Sequence, residues 1–370
     1  MFGILRRLAR RGGKRYLAFE ESEGLFFATR VVVRKNKISE ISKKQRVSEM
    51  RKPLFPPDLC IVGLDSDSAF TLEDKISVER GSSGNISKEE EEHVIFQGLW
   101  KFLNENRRSA ARQFDIPDSK VVLANIGIDR MRMDGTLVPR MVGTAGRVVE
   151  LVFRGTFVPE TSVALLEEMH KTFSTSVFVV ESDAALALLA HEKGRNTVAV
   201  CKRNESRIFS SKKDAFLEIK GLKWGTERIF EIIQKEFEVS RSFAEELLNL
   251  YARDDLSEKM RALLRTPVRK EFLNFSEKIL RMGEGKKARR DDAFVFFASP
   301  SPLFSDLFEE ETGIQGGNIG EVLKNRTWES TTKPSTATVL GAYAASHTEH
   351  PSLQKSLERR ARWISSWRKV

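Results

Sequence analysis

Cysteine is nearly missing from this chain: Cys60 and Cys201 are the only two in 370 residues, and they lie far apart. That excludes a disulfide framework and makes a reducing compartment the expected setting. Long apolar runs are missing as well. No window approaches the roughly 18 uninterrupted apolar residues of a membrane span, and no apolar core of a secretory signal stands near the start, so none is expected. Proline is sparse, at 11 residues, and no repeat of solenoid period is visible. No Ser–His–Asp or Cys–His set can be assembled from spacing, so no catalytic residue is assigned. His347 and His350 flank Glu349, and His93 follows Glu89–Glu92. Both groups read as solvated charge, and no metal ligand is assigned. Cys201 falls in an apolar strand-like run and reads as a small core filler.

The charge is unevenly placed. The net +10 sits at the ends: residues 1–15 carry +6, residues 353–370 carry +5, and residues 16–352 carry −1. A nucleic-acid groove needs its positive charge on the folded body, so no nucleic-acid partner is expected. Two short basic ends suit an anionic lipid surface. In residues 1–11, Met1, Ile4, Leu5 and Leu8 share a helical face before Gly12-Gly13 stops the helix. Near the C-terminus, Leu353, Leu357, Ala361, Ile364 and Trp367 share a face, with Trp363 on its edge. Lys355, Arg359, Arg362 and Lys369 lie opposite, and Arg360 must snorkel. Both segments read as in-plane membrane helices, with Ile4, Leu5, Leu8, Arg359, Arg362, Trp363, Ile364 and Trp367 as membrane-binding residues. A terminal helix docked on the body is the competing reading.

Between the ends, helical and strand patterns alternate, as in α/β domains. Strands are expected at Tyr16–Glu20 and Leu25–Val33 around a tight turn, and at Leu59–Leu64 after Pro53, Pro56 and Pro57. Ser87 with Glu90 three residues on is a capping box before a helix over His93–Phe114. Further strands are expected at Val121–Ile126, Val148–Phe153 and Val177–Val180, with helices at Ser162–Phe173 and Ala184–His191. A second half opens with strand Thr197–Cys201, a polar turn and a strand near Ser206–Phe209. Helix Glu227–Phe237 follows the loop Gly221–Gly225. Helices at Phe243–Tyr251 and Pro267–Met282, strand Phe294–Ala298, and helices Pro302–Glu311 and Thr338–Ala345 complete it. Gly313–Gly320 mimics a phosphate loop but follows a helix, and reads as a plain turn.

Each half therefore begins strand, polar turn, strand. In collinear order the chain resembles the FtsA family of bacterial actin-like proteins. The residues that carry the likeness are Asp134-Gly135, Gly143, Gly146 and Glu150 within Gly127–Leu151. Val180–Gly194, Gly221–Ile229 and Phe243–Leu248 add to it. The resemblance implies an actin-like two-lobed α/β fold (a duplicated ribonuclease H-like fold) with an inserted α+β subdomain of SHS2-like type. The implied layout has a basic amphipathic segment at 1–13. Lobe one takes 14–58 and 158–193, the insertion 59–157, lobe two 194–346, and a basic amphipathic helix 347–370.

The departures from the family lie where a nucleotide would be held. The family's first phosphate turn, Asp-Ile-Gly-Thr-Ser, is replaced by Glu20-Glu21-Ser22-Glu23-Gly24. The second, Asp-x-Gly-Gly-Gly-Thr-Thr, is replaced by Cys201-Lys202-Arg203-Asn204-Glu205-Ser206. The adenosine loop, Gly-Gly-Gly-Ser, is replaced by Ala298-Ser299-Pro300-Ser301. A phosphate cradle needs glycines so that backbone N–H groups can approach the anion. Three carboxylates repel phosphate, and Pro300 removes a donor. The degenerate nucleotide positions are then Ser22, Gly24, Asn204, Ser206, Gly225 and Ser299. No cofactor is expected, with a weak hold on ATP and magnesium through Lys202 and Arg203 as the residual reading. The resemblance implies a peripheral membrane adaptor of cell division at the cytoplasmic face of the inner membrane, without ATP turnover. Its implied partners are the anionic membrane, cytoskeletal or envelope-synthesis proteins, and further copies of itself. A PilM-like pilus-assembly adaptor and an active actin-like ATPase are the alternatives.

Overall fold

The computed structural model describes residues 13–22, 24–34, 37–40, 42, 44–47, 56–191, 197–212, 215–253, 255–282, 293–297, 303–317, 323 and 335–346. They form two compact units: one up to Leu186 together with 335–346, the other Ala187–Lys212 and Phe216 onward to Gly317. The two basic segments, with Ile4, Leu5, Leu8, Arg359, Arg362, Trp363, Ile364 and Trp367, lie outside the described residues.

The first unit begins with β1 (Lys14–Ser22), β2 (Leu25–Arg34), β3 (Lys37–Glu40), the short β4 (Gln45–Arg46) and β5 (Leu59–Leu64). After an excursion come α2 (Glu160–Phe173), β10 (Val177–Glu181) and α3 (Ser182–His191). The sheet order is β10-β5-β1-β2-β3, with β4 on β2. β1, β5 and β10 run parallel, while β2 is antiparallel to β1 and β3 is antiparallel to β2. Phe19, Cys60, Val62, Val177 and Val179 pack with Leu166, Met169 and Phe173 of α2 into one core.

The excursion contains β6 (Phe70–Glu79), α1 (Lys88–Phe114), β7 (Val121–Met133), β8 (Thr136–Leu137) and β9 (Val148–Pro159), in the order β6-β9-β7-β8. Helix α1 starts five residues before its apolar pattern suggests. Ser87 caps it by accepting from the Glu90 N–H at 3.2 Å. The reciprocal half of the capping box is absent, because the Glu90 carboxylate is taken by Arg80 at 2.8 and 2.9 Å. Gly98 lets α1 settle on β9, where an added Cβ would come within 3.0 Å of Leu151 and Phe153. Asp134 and Gly135, part of the resemblance, have φ of 47° and 81° in the two-residue turn between β7 and β8. A hairpin turn with both central residues left-handed favours Asp-Gly. The Asp134 carboxylate accepts from the Val148 and Arg147 N–H groups, which holds its pKa below the usual range.

The second unit repeats the arrangement. Its sheet uses β11 (Thr197–Cys201), β12 (Ser206–Lys212), β13 (Ala215–Leu222), β14 (Ala293–Phe297) and β15 (Gln315–Gly317). Helices α4 (Glu227–Phe237), α5 (Arg241–Ala252), α6 (Glu258–Met282) and α7 (Leu303–Thr312) complete it. The order is β13-β12-β11-β14-β15. β12 is antiparallel to β11, whereas β14 and β15 follow parallel. Numbered within each unit, both sheets read 3-2-1-4-5. This doubled order is the actin-like fold.

Three sequence expectations change here. Residues 59–64 belong to the first sheet and not to the insertion, since β5 lies between β1 and β10. Val177–Glu181 accordingly pairs with β5. The uninterrupted apolar run Leu59–Leu64 suits a strand covered on both faces. The excursion instead runs from Phe70 to Pro159. Residues 315–317 form the edge strand β15 where a plain turn was expected. Finally, the helix α8 (Thr336–Ser346) packs on β1, β2, β3 and β5 of the first sheet, although the sequence layout groups it with the second lobe. It is apolar on all sides, so its pattern does not indicate which sheet it covers.

Among the described residues β10 has one strand partner, β5, and its other edge is met by side chains from the insertion. The Val179 N–H donates to Asn125 Oδ1 at 2.8 Å. The Glu181 N–H donates to Thr71 Oγ1 at 2.9 Å, and Glu181 Oε2 accepts from the Thr71 N–H at 3.1 Å. Thr156 Oγ1 lies 2.9 Å from Thr71 Oγ1. A buried donor left without its acceptor costs roughly 1–3 kcal/mol. Asn125→Ala should therefore lower unfolding stability by about 2 kcal/mol, read by urea denaturation of the full chain, whereas Asn104→Ala on the exposed face of α1 should change it little.

Candidate functional site

The positions where an actin-like fold would hold phosphate are the β1–β2 and β11–β12 turns. In the first, the strands pair up to Ser22 and Leu25, and Gly24 turns at φ 73°. The carboxylates beside it are engaged. Glu21 accepts from the Asp65 N–H at 3.1 Å and from Ser68 Oγ at 3.2 Å. Glu20 meets Lys44 Nζ at 2.7 Å. Glu20 and Glu21 thus bind donors of their own unit, and the donors that follow β5 already face a carboxylate.

The second turn is built more tightly. β11 and β12 pair through Cys201 and Ser206, leaving Lys202–Glu205 as the turn. Its Lys202 N–H donates to the Glu205 carbonyl at 2.8 Å. The turn lies directly against the start of α4. Thr226 N–H donates to the Lys202 carbonyl at 3.1 Å, and Glu227 N–H to the Arg203 carbonyl at 2.8 Å. Arg228 N–H and Ile229 N–H donate to the carbonyls of Gly225 and Thr226. The first N–H groups of a helix normally lack partners, which makes the helix start an anion site. Here these four N–H groups are occupied by the protein's own carbonyls.

Gly225 is what permits the approach: a Cβ there would sit 2.3 Å from the Arg203 carbonyl oxygen. Ser206 Oγ donates to the Trp224 carbonyl at 2.6 Å. Trp224 stacks on Phe275 with centroids 3.6 Å apart, and its Nε1–H donates to Glu271 at 2.8 Å. The structure thereby brings Asn204, Ser206 and Gly225 together around one exposed turn. Ser22 and Gly24 belong to the other unit's hairpin, and Ser299 lies outside the described residues.

Charge completes the closure. Arg203 Nε donates to Glu227 Oε2 at 2.9 Å. Arg241 reaches the same carboxylate from α5 at 2.7 and 3.0 Å. Hydrogen bonds from Arg241, then Arg203, hold the Glu227 pKa below its usual range, against the opposing effect of burial. A carboxylate at the first turn of α4 complements the helix dipole. Sequence reasoning named Arg203 as a residual anion ligand; the cation instead pairs within the unit. It missed Glu227 and Arg241, whose meeting depends on how α5 packs rather than on any spacing. Cys201 is buried, and desolvation pushes its thiol up to about 12, with the Ser206 hydroxyl pulling the other way. It supplies no charge for a cation. Among the described residues no group of three or more His, Cys, Asp or Glu is placed to hold a metal ion.

No protein-family model and no curated protein matches this chain. Solved structures do resemble it at low identity. A PilM–PilN type IV pilus biogenesis complex is 13% identical with a TM-score of 0.47, over 94% of this chain and 98% of that one. The ethanolamine utilization protein EutJ from Carboxydothermus hydrogenoformans is 10% identical with a TM-score of 0.37, over 92% and 96%. A non-polymerising MamK mutant bound to AMPPNP is 8% identical with a TM-score of 0.37, over 90% and 99%.

Two outcomes test this geometry. Gly225→Ala should force the turn off α4 and cost about 2–3 kcal/mol, seen in chemical denaturation. Glu227→Gln should cost about 1–2 kcal/mol near neutral pH. Because the folded pKa of Glu227 is depressed, the loss should be complete above the ordinary glutamate range and shrink as pH falls through it. A penalty for Glu227→Gln that stays constant into acid would contradict the ion-pair assignment.

Proposed function

We propose that this chain is a non-catalytic actin-like adaptor at a membrane surface, of the kind the FtsA resemblance implies. The observation that carries the proposal is the occupied start of α4. A nucleotide phosphate would have to displace the Lys202 and Arg203 carbonyls and meet the Glu227 carboxylate. The glycine-free second turn and the engaged Glu20 and Glu21 support the same reading. On this view the fold serves as a scaffold that presents surfaces, and its partners are cytoskeletal or envelope-synthesis proteins and further copies of the chain. No helix among the described residues is long and apolar enough to cross a membrane. Attachment is assigned to the basic, amphipathic ends, where each Lys or Arg near an anionic surface contributes about 1 kcal/mol. Two weak attachments on one chain reinforce each other.

Incubation with ATP, magnesium and anionic vesicles should release no phosphate above a buffer blank; steady turnover would defeat the non-catalytic reading. The full chain should sediment with anionic vesicles, less at high salt and less with neutral lipid. Removing residues 353–370 should weaken sedimentation, and removing 1–11 as well should abolish it. Binding by the double truncation equal to that of the intact chain would reject the ends as anchors. Co-purification from native membranes separates a cell-division partner from a pilus-assembly partner.

A further inference from the structure

Helix α1 packs on β6 and β9 through Val94, Ile95, Leu99 and Phe102. Its solvent side carries a stripe whose charge changes sign along the axis. Glu89 stands exposed in the first turn, and Arg108 and Arg112 stand exposed near the end. Acids first and bases last suit the helix dipole, so that order alone points to no ligand. Trp100, at the middle of the stripe, has no such explanation. It is 54% exposed, on the side that an amphipathic helix fills with polar residues. Exposed tryptophans of this kind act as interface anchors.

The spacing around Trp100 is close to symmetric. Glu89 precedes it by eleven residues and Arg112 follows it by twelve. Two such helices laid antiparallel, with a two-fold axis beside Trp100, set Glu89 of each copy opposite Arg112 of the other. Both ion pairs form together, and the two Trp100 rings meet at the axis. A two-fold contact is isologous, so each contact occurs twice. Within its own helix Arg112 is held only at long range, 3.4 Å from the Arg108 carbonyl and 3.5 Å from Ser109 Oγ. A cavity of about 510 Å³ opens beside Lys88, Glu89 and His93, which gives room to Arg112 of a second copy. An anionic surface would meet Glu89 as well as the arginines, and a basic partner would meet Arg108 and Arg112. A face that carries both signs in reverse order answers the whole stripe, and α1 of a second copy is such a face.

We propose that this side of α1 joins two copies of the chain through antiparallel α1 helices. The inference rests on the scaffold reading above, whose partners include further copies of the chain, and names the surface they use. The stripe from Glu89 to Arg112 is about 35 Å long and about 10 Å wide. That is roughly 400 Å² per copy, half of the approximately 800 Å² of a standard interface. The contact is therefore weak and concentration-dependent, and copies gathered on one surface form it more readily.

The test adds single cysteines to the full chain, in which Cys60 and Cys201 are buried. Across the two-fold axis, position 104 of one copy lies about 10 Å along the helix from position 104 of the other, whereas the two positions 88 lie about 38 Å apart. A short bismaleimide should therefore link two copies of the Asn104→Cys chain and leave Lys88→Cys unlinked. In the Asn104→Cys chain, adding Glu89→Arg should cut the linked yield about fivefold. Adding Arg112→Glu as well should restore it. No link through Asn104→Cys, equal linking through Lys88→Cys, or a charge reversal that the second substitution does not rescue would each overturn the proposal. Vesicle sedimentation is read separately. Linked pairs in a chain that ignores anionic vesicles keep the α1 surface and remove the membrane role. Vesicle binding by a chain that never links removes the α1 surface alone.

Discussion

The second unit depends on a close approach of backbone to backbone. The β11–β12 turn presents its carbonyls to the start of α4, and α4 answers with the N–H groups that a helix start otherwise leaves ready for an anion. Gly225 makes the distance possible, and Glu227, clasped by Arg203 and Arg241, fixes the angle between turn, α4 and α5. Trp224 on Phe275 ties the same corner to the core formed with α6 and α7. The β11–β12 turn and the start of α4 are in this way parts of one hydrogen-bonded framework.

The first unit reaches a similar end by other means. Beside its turn stand Glu20 and Glu21, and their carboxylates find donors nearby in Lys44, Asp65 and Ser68. Farther along, the open edge of β10 is closed by Thr71 and Asn125 of the insertion. The insertion is thereby part of the unit's hydrogen-bond framework, and its helix α1 turns two aromatic rings outward. The proposed scaffold role calls for surfaces on which partners act. That need is consistent with an inward face satisfied by its own groups and an outward face left aromatic and acidic.

Much of this was legible in the sequence, and the reasons are local. Ser87 marked the start of α1 because a hydroxyl capping a helix needs only its next three residues. Asp134-Gly135, which carried the family likeness, forms a turn because few other pairs tolerate two left-handed residues. The departure of both turns from the family's phosphate motifs, and the absence of glycine from the second, were visible by inspection. Strand β6 was missed because Glu73, Asp74 and Lys75 break its apolar look, although Leu72, Ile76 and Val78 keep the alternation of a strand. Glu73 is buried there because Arg154 on β9 pairs with it, with Nε to Oε1 at 2.8 Å. That partner is 81 residues away, so no window could reveal it. The edge strand β15 was read as a turn because three residues, two of them glycine, carry no period. The placement of α8 depends on the Tyr343 ring meeting Phe178 and Arg154 in the first unit.

The measurement that bears most directly on the account is amide hydrogen exchange at the start of α4, with and without ATP and magnesium. Because Thr226 N–H and Glu227 N–H already donate to the turn carbonyls, both should exchange slowly in the free chain. Added nucleotide should leave their rates unchanged. Fast exchange in the free chain that slows when ATP is added would contradict the account, since it would mean that these groups await a phosphate.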